Sequence, residues 1–106
     1  MLYDVYINNN EISAIGVFNF STEKLTVFKG SERMLVYADH FEGSSSYELM
    51  RELEAKGILR GAEFLEDYTF NSPSAAASII LGGSTNGKKA WRTIGNISIK
   101  EAIYKE

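Results

Sequence analysis

The stretch LYDVYINNNEISAIGVFNFSTEKLTVF, Leu2 to Phe28, decides the fold class. Leu2 to Ile7 is rich in β-branched and aromatic residues. Asn8-Asn9-Asn10 tolerates the positive φ of a tight turn, and Glu11 to Phe18 resumes an apolar run, so the two segments read as a hairpin. Ser21-Thr22-Glu23 is a second polar turn. Lys24 to Phe28 then alternates polar with apolar as far as Gly30-Ser31, which completes an antiparallel meander of three strands. Met34 to Ala38 is read as a fourth short strand.

Working outward, the helices announce themselves by their ends. Ser44-Ser45-Ser46 followed by Glu48 has the form of a capping box, with Ser45 as the cap of a helix running to about Lys56. Leu49, Met50 and Leu53 share its apolar face, and Gly57 supplies a left-handed stop. Met50 is read as a core filler. Ile58-Leu59, a turn at Arg60-Gly61, and Glu63 to Phe70 give two further extended pieces. Ser72 then caps and Pro73 opens a second helix, Pro73 to Leu81, which Gly82-Gly83 end. Its Ala75, Ala76, Ala77 and Ser78 permit close packing on a sheet. Gly83 to Gly87 read as a loop, Ala90 to Ile94 as a strand carrying Trp91, and Ile99 to Lys105 as a short C-terminal helix. The expected architecture is α+β, an antiparallel sheet with two main helices packed on it, formed by residues 1–106 as one domain.

Composition bounds what such a domain does. A chain of 106 residues, 44% hydrophobic and 24% charged, suits one globular unit with a stability of about 5 to 10 kcal/mol. It has no cysteine and one histidine. That excludes disulfides, thiol nucleophiles, cysteine-ligated metals and any two-histidine metal site. His40 lacks the strand-Gly-x-Ser-x-Gly-helix context of a serine nucleophile and reads as a surface or turn residue. Glu63, Glu66 and Asp67 lie in an extended region and read as a solvated strand edge. No catalytic residue, metal site or cofactor is expected. Met1 to Ile7 carries no positive charge and no run approaches the ~18 apolar residues of a membrane span, so a cytoplasmic protein with no membrane partner is expected. The glycosylation-like triplets at Asn19 and Asn96 are then without consequence.

The charge is uneven. The net charge is −3. Residues 1–70 carry six basic side chains against twelve acidic ones. Residues 71–106 carry Lys88, Lys89, Arg92, Lys100 and Lys105 against Glu101 and Glu106, and Asn71 to Lys100 contains no acid. Such asymmetry allows a local positive patch on an acidic protein, which a phosphate partner requires. Gly82, Gly87 and Lys88 imitate a phosphate loop, but Lys89 stands where Ser or Thr would hold magnesium, and the loop follows a helix instead of a strand. Trp91, between Lys88-Lys89 and Arg92, has two readings open: a ring that stacks on a base, or a core aromatic of a half-buried strand.

The strings LTVFKGS (Leu25 to Ser31), YELMRELEAKGIL (Tyr47 to Leu59) and DYTFNSPSAAASIILGGSTNGKKAW (Asp67 to Trp91) resemble domain-of-unknown-function family 4357 over about residues 12–95. This is a small α+β module often found behind GIY-YIG nuclease domains. The Ser-Pro-Ser-Ala-Ala pattern with its downstream tryptophan is also similar to the RAMA domain, named for restriction enzymes and adenine methylases and proposed to read modified DNA. RAMA-type sequences carry a further tryptophan directly after the loop glycine, where this chain has Lys88. The resemblance implies a non-catalytic accessory module in a restriction–modification or nuclease context; with its motif residues Ser72, Ser74, Asn86 and Trp91, the basic stretch adds Lys88, Lys89 and Arg92 as the candidate residues for binding DNA or another nucleic acid. The alternative is a protein-interaction or homo-oligomerisation domain, favoured by the net negative charge and by six Phe and six Tyr.

Overall fold

A computed structural model describes residues 1–104. The meander forms as its alternation requires: β1 (Leu2–Asn8), β2 (Ser13–Asn19) and β3 (Lys24–Val27) pair antiparallel. The Asn9 side chain accepts from the amides of Glu11 (2.8 Å) and Ile12 (2.9 Å), so those two residues belong to the turn. Asn19 closes the second turn in the same way, accepting from Ser21 at 2.9 Å. Leu59–Arg60 (β4) and Glu63–Phe64 (β5) form a separate two-stranded hairpin. Tyr68–Phe70 (β6), Arg92–Thr93 (β7) and Ile97–Ser98 (β8) join the main sheet, whose order is β6-β3-β2-β1-β7-β8 with every pairing antiparallel. The architecture is α+β.

Helix α1 (Ser45–Ala55) begins one residue earlier than its capping-box reading. Ser44, not Ser45, holds the extended cap conformation and accepts from the Tyr47 amide at 3.2 Å. At the other end Gly57 adopts φ 76°, and the amide of Ile58 reaches the Leu53 carbonyl, the double closure that a left-handed glycine permits. Helix α2 (Pro73–Leu81) starts at its Ser72 cap, which accepts from Ala75 at 3.1 Å, and stops at Gly82 with φ 75°. Ala76, Ala77, Ile79 and Ile80 of α2 are fully buried with Val5, Phe18, Leu25, Val27, Met50, Leu53, Phe64 and Phe70 in one core. α2 lies against β3 and β6, and α1 leans on α2 and β4.

Two expectations fail. Met34 to Ala38 is not a strand. The Met34 and Ala38 amides donate to the carbonyls of Ile80 (2.8 Å) and Gly82 (2.7 Å), so this segment serves the otherwise unpaired C-terminal end of α2. Ala90 to Ile94 is not one strand either. Gly87–Ala90 coil into a single helical turn, α3, Trp91 follows it, and only Arg92–Thr93 enter the sheet. The short C-terminal helix is present, with π-helical winding over Lys100–Tyr104; the expected Lys105 lies outside the described residues. The interior also holds Arg33, 2% exposed, whose guanidinium donates to the Gly61 carbonyl (2.9 Å) and to Glu54 (3.0 Å). No helix among the described residues is long and apolar enough to cross a membrane.

Candidate nucleic-acid interface

The motif residues of the second half form an internal clasp between the start of α2 and α3. Asn86 caps α3 by accepting from the Lys88 amide at 3.1 Å. The Gly87 amide donates to the Ser74 hydroxyl at 2.9 Å, and the Trp91 indole donates to the Pro73 carbonyl at 3.1 Å. Gly87 has to be glycine because a Cβ there would overlap the backbone of Pro73 and Ser74. Ser72, Ser74 and Asn86 therefore spend their acceptor groups on backbone amides.

Trp91 is the correction that matters most. Its ring is 0% exposed, filling the core beneath the clasp with its one donor satisfied, so the core reading holds and no base can stack on it. Lys88 is also removed from the free cations. Its ammonium stands 3.3 Å from Glu23 and 4.0 Å from the centre of the Tyr104 ring. Partial burial pulls its pKa down, but the Glu23 hydrogen bond and charge, with Tyr104, outweigh that and hold it above the usual lysine value.

The remaining two predicted residues, Lys89 and Arg92, do come together. They line a hollow of about 300 Å³ with Ser98, Lys100 and Glu101. Lys89 comes from α3, Arg92 from β7, and Lys100 from the π-helical turn that follows β8. Lys100 was missed as a site residue, although it ends the acid-free stretch; the signal was the Gly95-Asn96 turn, with φ 83° and 62°, whose hairpin pairs Arg92 with Ser98 two residues before Lys100. Ser98 accepts from the Glu101 amide at 3.2 Å. Among the described residues none of the three cations makes an ion pair, so three positive charges face one carboxylate across the hollow. Such a cluster can hold a phosphate by charge and by the fork of Arg92.

Two other candidates lie in turns. His40 has φ 72° and lies exposed before a 3-10 turn, Phe41–Gly43, and it hydrogen-bonds no serine hydroxyl among the described residues. Asp67 accepts from the Lys29 amide at 2.7 Å and so closes the turn after β3.

The sheet order, the serine-capped α2 and the clasp define a small α+β module of the kind the motif strings resemble. The chain belongs to the family described as Domain of unknown function (DUF4357), whose model matches residues 5–103. No curated protein and no solved structure matches it.

Proposed function

We propose that this is a non-catalytic accessory module that binds nucleic acid through its phosphates in a restriction–modification or nuclease context, as the resemblances to family 4357 and to the RAMA domain imply. The convergence of Lys89, Arg92 and Lys100 on one hollow carries the reading, because three cations without ion-pair partners among the described residues make a phosphate footprint on a chain whose net charge is −3. Lys88 contributes little, being held by Glu23, and Trp91 contributes to stability alone.

The test is a binding titration against salt. If each of the three cations neutralises one duplex phosphate, the logarithmic slope is roughly −2.7, and Lys89→Gln with Lys100→Gln reduces it to about −0.9. Lys88→Gln leaves it nearly unchanged. Absence of binding to any nucleic acid at low salt refutes the reading.

A second reading, a protein-interaction or self-association surface, is favoured by Leu2, Ile15 and Ile94, large apolar side chains exposed on or beside the main sheet. A mass that rises with concentration in light scattering, with no nucleic-acid binding, selects it.

A further inference from the structure

We propose that the nucleic acid held at this hollow is single-stranded, and that its bases lie on the open face of the sheet next to the cations. This rests on the reading of the hollow as a phosphate site. The register threads one row of side chains across five strands. The Phe28 amide, at the end of β3, donates to the Ile15 carbonyl; Ile15 pairs with Tyr6, Tyr6 with Arg92, and Arg92 with Ser98. Directly paired residues share a face, and this face is opposite to the one that buries Val5, Ile7, Ala14 and Phe18.

One end of the row is the basic hollow. The other is a shallow apolar hollow of about 380 Å³ lined by Tyr6, Ile15, Phe28 and Ile94. Ile15 is 51% exposed, and Ile94, on the β7–β8 turn, is 92% exposed. With strands ~4.8 Å apart, Tyr6 stands about 10 Å from Phe28 and about 5 Å from Arg92 along the row. Two rings with aliphatic side chains about them, running directly into three cations, complement a polymer that carries flat apolar faces on one side and anions on the other. A single strand is such a polymer. A duplex stacks its base faces inside itself and offers this platform only phosphates.

Asp4 also lines the apolar hollow. A carboxylate there repels phosphate or an acidic peptide, and it accepts from the exocyclic amino group of a base. It thus orients the strand with bases over Tyr6 and phosphates over Arg92.

The probes are labelled mixed-sequence DNA of about twelve nucleotides, the same DNA as duplex, and an abasic strand of equal charge, titrated by fluorescence anisotropy. The single strand is expected to bind about tenfold or more tighter than either of the others. Tyr6→Ala weakens it about fivefold or more, the worth of one stacked base. Ile94→Ala weakens it about threefold and, with its side chain almost wholly in solvent, keeps the test decisive if Tyr6→Ala does not fold. Neither changes the abasic affinity, whereas Lys89→Gln with Lys100→Gln weakens all three.

Equal affinity for the abasic strand, or preference for the duplex, with the lysine dependence intact, overturns the single-strand proposal and leaves the phosphate reading standing. No nucleic-acid binding at all overturns both. Self-association that Ile15→Glu abolishes assigns the face to a second copy and overturns the proposal as well.

Discussion

Gly87→Ala probes the clasp at its tightest point. A Cβ at Gly87 overlaps the carbonyl carbon of Pro73 and the amide nitrogen of Ser74, both backbone atoms in the first turn of α2, so no side-chain rotation relieves it. α3 has to move away from α2 by more than about 1 Å to restore normal contact. That displacement takes the Gly87–Ser74 bond (2.9 Å) and the Trp91–Pro73 bond (3.1 Å) out of range. Overpacking costs about 1 to 3 kcal/mol, and each of the two bonds about 1 kcal/mol, which together make roughly 3 to 5 kcal/mol. In urea, with a slope near 1.5 kcal/mol/M, the midpoint falls by about 2 M or more. Ser74→Ala alone costs about 1 kcal/mol and adds almost nothing on top of Gly87→Ala, because the shared bond is already gone. A midpoint for Gly87→Ala within about 0.3 M of the parent, or full additivity with Ser74→Ala, refutes this account of the clasp.

Trp91→Ala removes the largest fully buried side chain and costs about 3 to 5 kcal/mol in a thermal or urea melt; a mutant that melts like the parent removes Trp91 from the core. Glu54→Gln leaves the buried Arg33 guanidinium without its carboxylate and is expected to cost about 3 kcal/mol in a urea melt; a midpoint unchanged from the parent means that the arginine acts through packing alone. Lys88 tests the alkaline limb. A pKa raised in the fold stabilises the protein below the usual lysine value, and that contribution is lost as pH climbs through the raised one. The parent therefore loses an increment at high pH that Lys88→Met lacks, a small one because the side chain is 36% exposed; parallel stability curves for the two refute the Glu23 contact.

The meander was legible because its two turns are built by side chains next to the strands they join, and α2 because Ser72, Pro73 and Gly82 act within one turn of their own positions. α1 was displaced by one residue because three successive serines satisfy the same cap chemistry, and only the backbone angles of Ser44 select among them. Met34 to Ala38 has strand composition, but its amides are taken by α2, far along the chain. α3 is a single turn, too short for any period, and missing it placed Trp91 in a strand. The basic stretch was visible as a run without acids, yet which of its cations lack an ion-pair partner among the described residues was decided by Glu23, which pairs with Lys88 from a distant turn. The partnership of Arg33 with Glu54 left no local trace, and neither did the row from Phe28 to Arg92, because it depends on how four strands register.

The position of β1 has a consequence for synthesis. β1 is made before every strand it pairs with, yet in the finished sheet it lies between β2 and β7, and its Tyr6 meets Asn96 across 90 positions of sequence. While the chain leaves the ribosome, the meander can close by itself, but Tyr6 on the other edge of β1 stays unpaired until β7 arrives. A nascent chain stalled before Arg92 would offer that edge, with its hydrogen-bonding groups unmet, to any neighbouring strand. The arrival of β7 at Tyr6 thus covers part of an edge that would otherwise recruit a neighbouring strand.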